Sequence, residues 1–427
     1  MVMIPYSVPE INFKGWREFL TSFFWDDWQE ETAVKNFEQE LASYVGTHHA
    51  VSFSSARYCL YLVYRFFGCR GKKVIAPAYT CIPAIDAIRW AGATPEFVDI
   101  SLTTYNPIFS PHLNRVQNIG AISLSYLYGL VDNPIPLIQF AKKRGIPVIE
   151  DAAIALGARI RDKRVGSLTE AGVFSLQSSK LITAWRGGVI TTNNQDLYTF
   201  LKHHQARQVL PSRTTVFFNG LITGLRKVLS NQMIYGYVLY PLNQIVRQPV
   251  ASRFLSRLLN QDPSEAIRGE SPKKLPQWET YRFTSAQARL ALASFRHFDQ
   301  IFKKRQVIAQ SYLRNLREIN GLVLPQSKSK LVHAYGRFPI RIEGLNKYKA
   351  QSLFATLGVE VGLNYPYIIP QTKYFKGSYT GSFPNALKAS QETILLPMHT
   401  QLNQADLSRI TSAVRSVVKH HRFYSKN

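Results

Sequence analysis

From about Val45 to Asn193 the chain alternates short apolar runs with helix-like segments, and that alternation constrains its fold more than any other feature. "KVIAPAYT", "PEFVDI", "GAISLSYLYG", "IPVIEDAA", "AGVFSLQ" and "GGVITTN" are rich in β-branched and aromatic residues and are flanked by Gly, Pro or Asp, the marks of strands. Between them lie segments such as "PIPLIQFAKKRG", apolar on one side, basic in the last turn and stopped by glycine. The rhythm predicts an α/β fold with a mostly parallel central sheet flanked by helices. Ligands of such sheets collect beyond the carboxyl ends of the strands. Asp151 ends "VIED", and Ser54 and Ser55 end "AVSFSS" before the helix-like run "ARYCLYLVYRFFG". Both stand where a ligand is expected.

The rest of the chain divides into two further parts. Residues 210–277 hold a basic, apolar segment, "FFNGLITGLRKVLSNQMIYGYVLYPLNQIVRQPVASRFLSRLLN", almost without acids, followed by the linker-like "DPSEAIRGESPKKLP". The segment reads as two or three amphipathic helices, either packed on the body or a neighbouring subunit, or lying in a membrane interface. From residue 278 onward, "SAQARLALASFRHFDQIFKKRQVIAQSYLRNL" reads as one long helix leading into a smaller α/β carboxyl-terminal domain. Residues 1–209 then form an amino-terminal arm and the large domain.

Bulk properties narrow the function. The 427 residues carry a formal net charge of +25, which points to nucleic acid, an anionic membrane surface or phosphorylated substrates. No nucleic-acid-binding motif accompanies the charge, and the basic residues are spread along the chain. No run of apolar residues is long enough to span a membrane, and the amino terminus does not read as a signal peptide. The three cysteines, Cys59, Cys69 and Cys81, form neither a zinc pattern nor a disulfide framework, which fits a reducing cytoplasm.

Within "AGVFSLQSSKLITAWRGGVITTN" a lysine, Lys180, stands between two strand-like runs. An isolated lysine between strands is ordinarily a solvated loop residue. Its surroundings, however, resemble the DegT/StrS-like, pyridoxal-phosphate-dependent sugar aminotransferases. The resemblance covers nearly the whole chain, through "FEQELASYVGTHHAVSFSSA", "VIAPAYTCIPAIDAIRWAGATPEFVDI", "AKKRGIPVIEDAAIALGA", "KRVGSLTEAGVFSLQSSKLITAWRGGVITTN", "YRFTSAQARLALASF" and "NYPYIIPQTKYF" in that order. It implies the type I fold of pyridoxal-phosphate transferases, usually a homodimer. Lys180 falls where the family has the lysine that forms a Schiff base with the cofactor, and Asp151 where an aspartate pairs with the pyridine nitrogen. An aspartate there also suits capping of a following helix, and both roles can hold at once. Ser55 and Ala56 match the phosphate-binding turn, and Ser175 a further phosphate ligand.

Several positions depart from the family pattern. Arg57 replaces a common threonine; it can bind phosphate through charge-assisted bonds or point to solvent, and the sequence leaves both open. Ile154 stands where glutamine or histidine is usual near the ring hydroxyl. Thr280 replaces the asparagine that relatives lend to the neighbouring subunit's phosphate site. Cys81 takes the place of the aromatic that stacks on the ring, with Tyr79 as a substitute, while Gly187 and Gly188 keep the family's glycine pair. The resemblance implies transfer of an amino group, from an amino acid donor such as glutamate, to a nucleotide-activated keto sugar in polysaccharide biosynthesis. The departures keep two alternatives open: a membrane-associated relative with an atypical or lipid-linked substrate, and a regulatory homologue without turnover.

Overall fold

The computed structural model describes residues 2–10, 13–25, 31–109, 111–245, 272, 274–326, 328–373, 375 and 381–424. Most of the linker expected at 262–276, and the second half of the basic segment before it, lie outside the described residues.

All six strand candidates carry a strand. The main sheet contains β1 (His49–Phe53), β2 (Lys73–Pro77), β3 (Thr94–Val98), β4 (Ile119–Ser125), β5 (Val148–Asp151), β8 (Ala171–Ser175) and β9 (Gly188–Thr192), in the order β1-β9-β8-β5-β4-β2-β3. Two-residue strands β6 (Arg159–Ile160) and β7 (Lys163–Arg164) pair outside it. The run β3-β2-β4-β5-β8 is parallel because helices such as Ile82–Trp90 and Ile135–Lys143 carry the chain back between strands. No helix separates β8 from β9, so the chain turns back directly and β9 runs antiparallel to both neighbours. That direct turn is the loop holding Lys180.

Beyond the main sheet, β10 (Leu322–Val323), β12 (Phe338–Ile342) and β13 (Thr393–Leu396) form a small antiparallel sheet, and β11 (Leu331–Val332) joins β6. Helices Lys347–Thr356 and Gln404–Tyr424 cover the small sheet, burying Phe354, Ile410 and Val414 with Ile340 and Ile394. The single long helix expected after residue 284 is instead two, Ser285–Phe295 and Phe298–Leu316. The first is closed by a capping box, in which Thr284 and Gln287 exchange side-chain and backbone bonds. The break falls at Arg296 and His297, without Gly or Pro to mark it, because the two halves bury against different partners. Ala288, Ala291 and Leu292 face the core beneath β4 and β5, while Ile308, Tyr312 and Leu316 face the core around the small sheet.

Two buried carboxylates lock loops near the sheet's carboxyl edge. Glu10 pairs with Arg305 at 3.1 Å and accepts from the Thr400 hydroxyl at 2.7 Å, while Arg305 also donates to the carbonyls of Tyr335 and Gly336. One pair thus ties the amino-terminal arm, a core helix and the loop ahead of Arg337. Glu150, the last residue before Asp151, accepts from the backbone N–H groups of Gly166 (2.9 Å), Leu168 (2.9 Å) and Thr169 (3.2 Å), and from the Tyr126 hydroxyl (3.2 Å). Its bonds hold the turn after β7 against the end of β5.

Burial pushes the Glu150 carboxyl up to about 7, against the pull of those donors. A carboxyl that holds its proton more tightly folded than unfolded contributes stability at acid pH and loses it as pH rises through the folded value. Glu150→Gln cannot titrate. Between pH 5 and pH 8 its unfolding free energy relative to wild type is expected to shift in the variant's favour by up to roughly 3 kcal/mol. Denaturant melts at both pH values check this, and parallel behaviour of the two proteins would refute it.

Candidate active site

The sheet register assembles the site. Phe53 of β1 and Ser175 of β8 both pair with Gly188 of β9, so the ends of three strands lie in one row. Gly188 is required there: a Cβ on it would lie 2.3 Å from the Ala56 nitrogen and 2.4 Å from the Ser55 carbonyl carbon. The turn leaving β1 therefore rests directly on the β9 backbone, and the helix Ala56–Phe66 starts beside Ser175. Ser55 is its N-cap, with the hydroxyl accepting from Tyr58 N–H at 3.0 Å. On the far side of β8, Asp151 lies level with Ser125 and Val173.

Lys180 sits on a loop pinned at many points. Leu176 N–H donates to Gly187 O at 2.9 Å, Ala184 N–H to Leu176 O at 2.9 Å, and Ser178 N–H to Trp185 O at 3.2 Å. Arg337 donates to Ser179 O at 2.9 Å, and Arg226, from the helix Arg213–Leu229, donates to Ser178 Oγ at 3.1 Å. Trp185 holds a left-handed φ of 53° and packs edge-on against Phe19 at 5.3 Å. A tryptophan in that conformation persists only where its surroundings over-determine it. Lys180 is thus a half-buried side chain on a rigid loop, not a mobile surface lysine.

The charges around it fit a reactive amine. Burial lowers the Lys180 pKa, the Arg337 guanidinium lowers it further, and Cys81 and Asp151 pull the other way. Burial raises the Asp151 carboxyl, while the Ala153 N–H, Lys180 and the Ser125 hydroxyl draw it back. No helix follows Asp151; its carboxylate accepts from Ala153 N–H at 3.3 Å in a local turn, so the helix-capping alternative falls. Cys81 heads the helix Ile82–Trp90 within electrostatic reach of Asp151, Lys180 and Arg57.

A second cluster binds an anion. Glu279, fully buried, accepts from the Ser55 hydroxyl, lies 3.6 Å from Arg57 Nε and 3.7 Å from Arg186 Nη2, and its carbonyl accepts from Ser54. A carboxylate of the chain therefore occupies the helix N-terminus that the resemblance assigns to phosphate. Arg57 does not point to solvent: it also pairs with Asp86 at 3.7 Å and lies over the rings of Trp90 and Trp278. Its charge faces the carboxylates of Glu279 and Asp86, so the solvent-facing alternative falls.

The remaining candidates fall unevenly. Ser175 flanks the cradle through its pairing with Gly188. Ile154 lies against Gly336, where a Cβ would approach its Cγ1 to 2.3 Å, so it contributes apolar surface beside Arg337. The Thr280 hydroxyl turns back to Gln277 O at 2.7 Å, and its neighbour Glu279 points inward instead. Tyr79 has no open face to stack on anything. It is wholly enclosed, its hydroxyl 2.9 Å from that of Tyr128 and its ring edge-on to Tyr365 at 5.5 Å. The half-buried aromatic in electrostatic reach of Cys81 and Asp151 is Tyr365. Sequence reasoning missed Tyr365, Arg337, Arg186 and Glu279. Only "NYPY" and the "WRGG" arginine beside the glycine pair offered a signal.

A model of the DegT/DnrJ/EryC1/StrS aminotransferase family matches residues 17–217 and 278–415. The chain belongs to this family. Among curated relatives, the aminotransferase is 24% identical over 401 residues to GDP-perosamine synthase of Caulobacter vibrioides, covering 90% of each chain. It is 25% identical over 427 residues to the spore coat polysaccharide biosynthesis protein SpsC of Bacillus subtilis, covering 97% of each. The fold is that of Helicobacter pylori PseC, an aminotransferase involved in the biosynthesis of pseudoaminic acid, at TM-score 0.76 and 18% identity, covering 98% of this chain and 100% of that one. It also matches the Streptococcus pneumoniae protein Spr1654, solved in a PLP-form, at TM-score 0.73 and 19% identity, covering 98% and 99%.

Removing Glu279 takes a shared carboxylate from Arg57, which keeps Asp86, and from Arg186, which is partly exposed. Glu279→Ala is expected to cost about 1–3 kcal/mol of stability, and added inorganic phosphate should restore part of the melting temperature by taking the vacated cradle. Thermal melts with and without phosphate check this. A variant that phosphate does not stabilise more than wild type would show that the cluster is no anion site.

Proposed function

We propose that this aminotransferase uses pyridoxal 5'-phosphate to carry an amino group from an amino acid, glutamate by expectation, to the keto group of a nucleotide-activated sugar. The observation that supports the reading is Lys180: an amine of lowered pKa on a pinned loop, with Asp151 and Arg337 beside it. The donor set fits the cofactor. The cradle of Ser55, Arg57 and Arg186 already holds an oxyanion, with the Glu279 carboxylate standing in for a phosphate ester, and Gly188 gives the close approach such a turn requires. Ser55, Ala56 and Ser175 would hold the phosphate as Glu279 withdraws, Asp151 would face the ring nitrogen, and Tyr365 or Cys81 would border the ring.

Bound there, the group supplies an electrophilic aldehyde and a ring able to accept an electron pair. The chain supplies the rest. Lys180 Nζ, its pKa lowered by burial and Arg337, would serve as nucleophile and then move a proton to and from the substrate carbon. Asp151 would face the ring nitrogen and hold a proton there. The net charge of +25 raises the local concentration of a diphosphate-bearing acceptor. Thr280, directed away from the site of its own chain, would serve the neighbouring subunit of a homodimer. Relatives that include GDP-perosamine synthase of Caulobacter vibrioides and UDP-4-amino-4,6-dideoxy-N-acetyl-beta-L-altrosamine transaminase of Campylobacter jejuni support the acceptor class.

The test is the visible spectrum of the protein with added pyridoxal phosphate. Wild type is expected to develop a band that glutamate bleaches. Lys180→Ala should show no such band, and its turnover should fall by about 10³-fold. Asp151→Asn should keep the band but lose most of the glutamate response. Absence of any band in wild type would overturn the reading and favour a regulatory homologue.

A further inference from the structure

The family match stops at residue 217 and resumes at 278, so the segment between lies outside the matched residues. Its first part is the helix Arg213–Leu229, and small residues on one face set how it docks. A Cβ on Gly220 would lie 2.0 Å from the Phe19 ring, and one on Gly224 would lie 2.0 Å from Trp16 Nε1, so the helix lies directly on the helix Phe13–Trp25. Val216 and Thr223 complete the buried face. Arg226 and Lys227 also turn inward, to Ser178 Oγ and Pro9 O. The docking face is therefore fully used.

The opposite face is apolar and bare. Phe218, Leu221, Leu225 and Val228 recur every three or four residues along it, with exposures of 57, 38, 42 and 53%. The short helices that follow add Met233 and Tyr237, each 60% exposed. Of the fourteen large exposed apolar residues among the described residues, eight lie between 218 and 242, so they form a patch and not a scatter. Between Leu197 and Gln261 the sequence has eight Lys and Arg and neither Asp nor Glu.

We propose that this face is a membrane-docking surface, laid flat on an anionic lipid bilayer. The charge pattern chooses the occupant. A second copy of the chain would bring the same acid-free, basic stretch against itself, whereas anionic headgroups complement it. An interfacial helix has this form, with an apolar face seated at the acyl boundary; Arg213, exposed at its start, is placed to meet headgroup phosphates, while Arg226 and Lys227 turn to the body. Among the described residues no helix is long and apolar enough to cross a bilayer, which fits a segment that lies on it. The proposal stands on the insertion alone and does not depend on amino transfer. If both hold, the transferase works at the surface where envelope precursors are anchored.

The test is co-sedimentation of the full chain with vesicles of phosphatidylcholine containing phosphatidylglycerol, beside vesicles of phosphatidylcholine alone. The protein is expected to pellet with the anionic vesicles and to be partly released by salt. The variant F218S/L221S/L225S/V228S should bind at least tenfold more weakly while keeping the wild-type circular dichroism. Should that variant fail to fold, M233S/Y237S provides a milder test, with at least a threefold loss expected. Binding unaffected by these substitutions, or no pelleting at low salt, would overturn the proposal. So would light scattering in which wild type is a larger oligomer than the serine variant, which would assign the face to a second copy.

Discussion

The site depends on one close approach: the backbone of Gly188 against the Ser55–Ala56 turn. Three strands end at that row, and the central one, β9, has no side chain there, so a helix N-terminus, a strand-end serine and the lysine loop can converge. Any side chain at 188 would have to push the turn off the sheet, and the anion cradle would move with it. The direct return from β8 to β9 is the second half of the same arrangement. A helical crossover would carry residue 180 away to the face of the sheet; a hydrogen-bonded loop keeps it at the carboxyl edge, where parallel sheets place their ligands.

Electrostatics then divide the edge into two compartments. Around Lys180 burial and Arg337 lower the amine's pKa against the pull of Cys81 and Asp151. Around Ser55 the balance favours an anion, since Arg57 and Arg186 face a helix N-terminus, and Glu279 supplies that anion from within the chain. A group with a phosphate at one end and an aldehyde at the other matches the pair of compartments. The buried carboxylates Glu10 and Glu150 hold the surrounding loops.

Much of this was legible in the sequence. Strands show as β-branched runs between Gly, Pro and Asp, and each of the six proposed from "KVIAPAYT" to "GGVITTN" is present. Lys180 and Asp151 were legible through resemblance, since a lysine between two strands carries no signal by itself. The break at Arg296–His297 was not legible, because the apolar period continues across it and only the burial partners change. Nor were Glu279, Arg337 and Tyr365, which reach the site from segments roughly 100 to 200 residues further along the chain. Tyr79 was misplaced for the opposite reason: proximity in sequence to Cys81 put it near the site, but packing against Tyr128 and Tyr365 encloses its ring. The basic insertion was legible as amphipathic, while its two-sided use, small residues inward and large apolar residues outward, needed the packing of Gly220 and Gly224.

The central claim is that Lys180 is the amine that takes the cofactor. It is tested most directly by incubating the protein with pyridoxal phosphate, reducing with borohydride to fix the cofactor to whichever amine holds it, and mapping the product by peptide mass spectrometry. The account predicts one stoichiometric adduct, on Lys180. An adduct distributed over surface lysines, or a single adduct elsewhere, would contradict it.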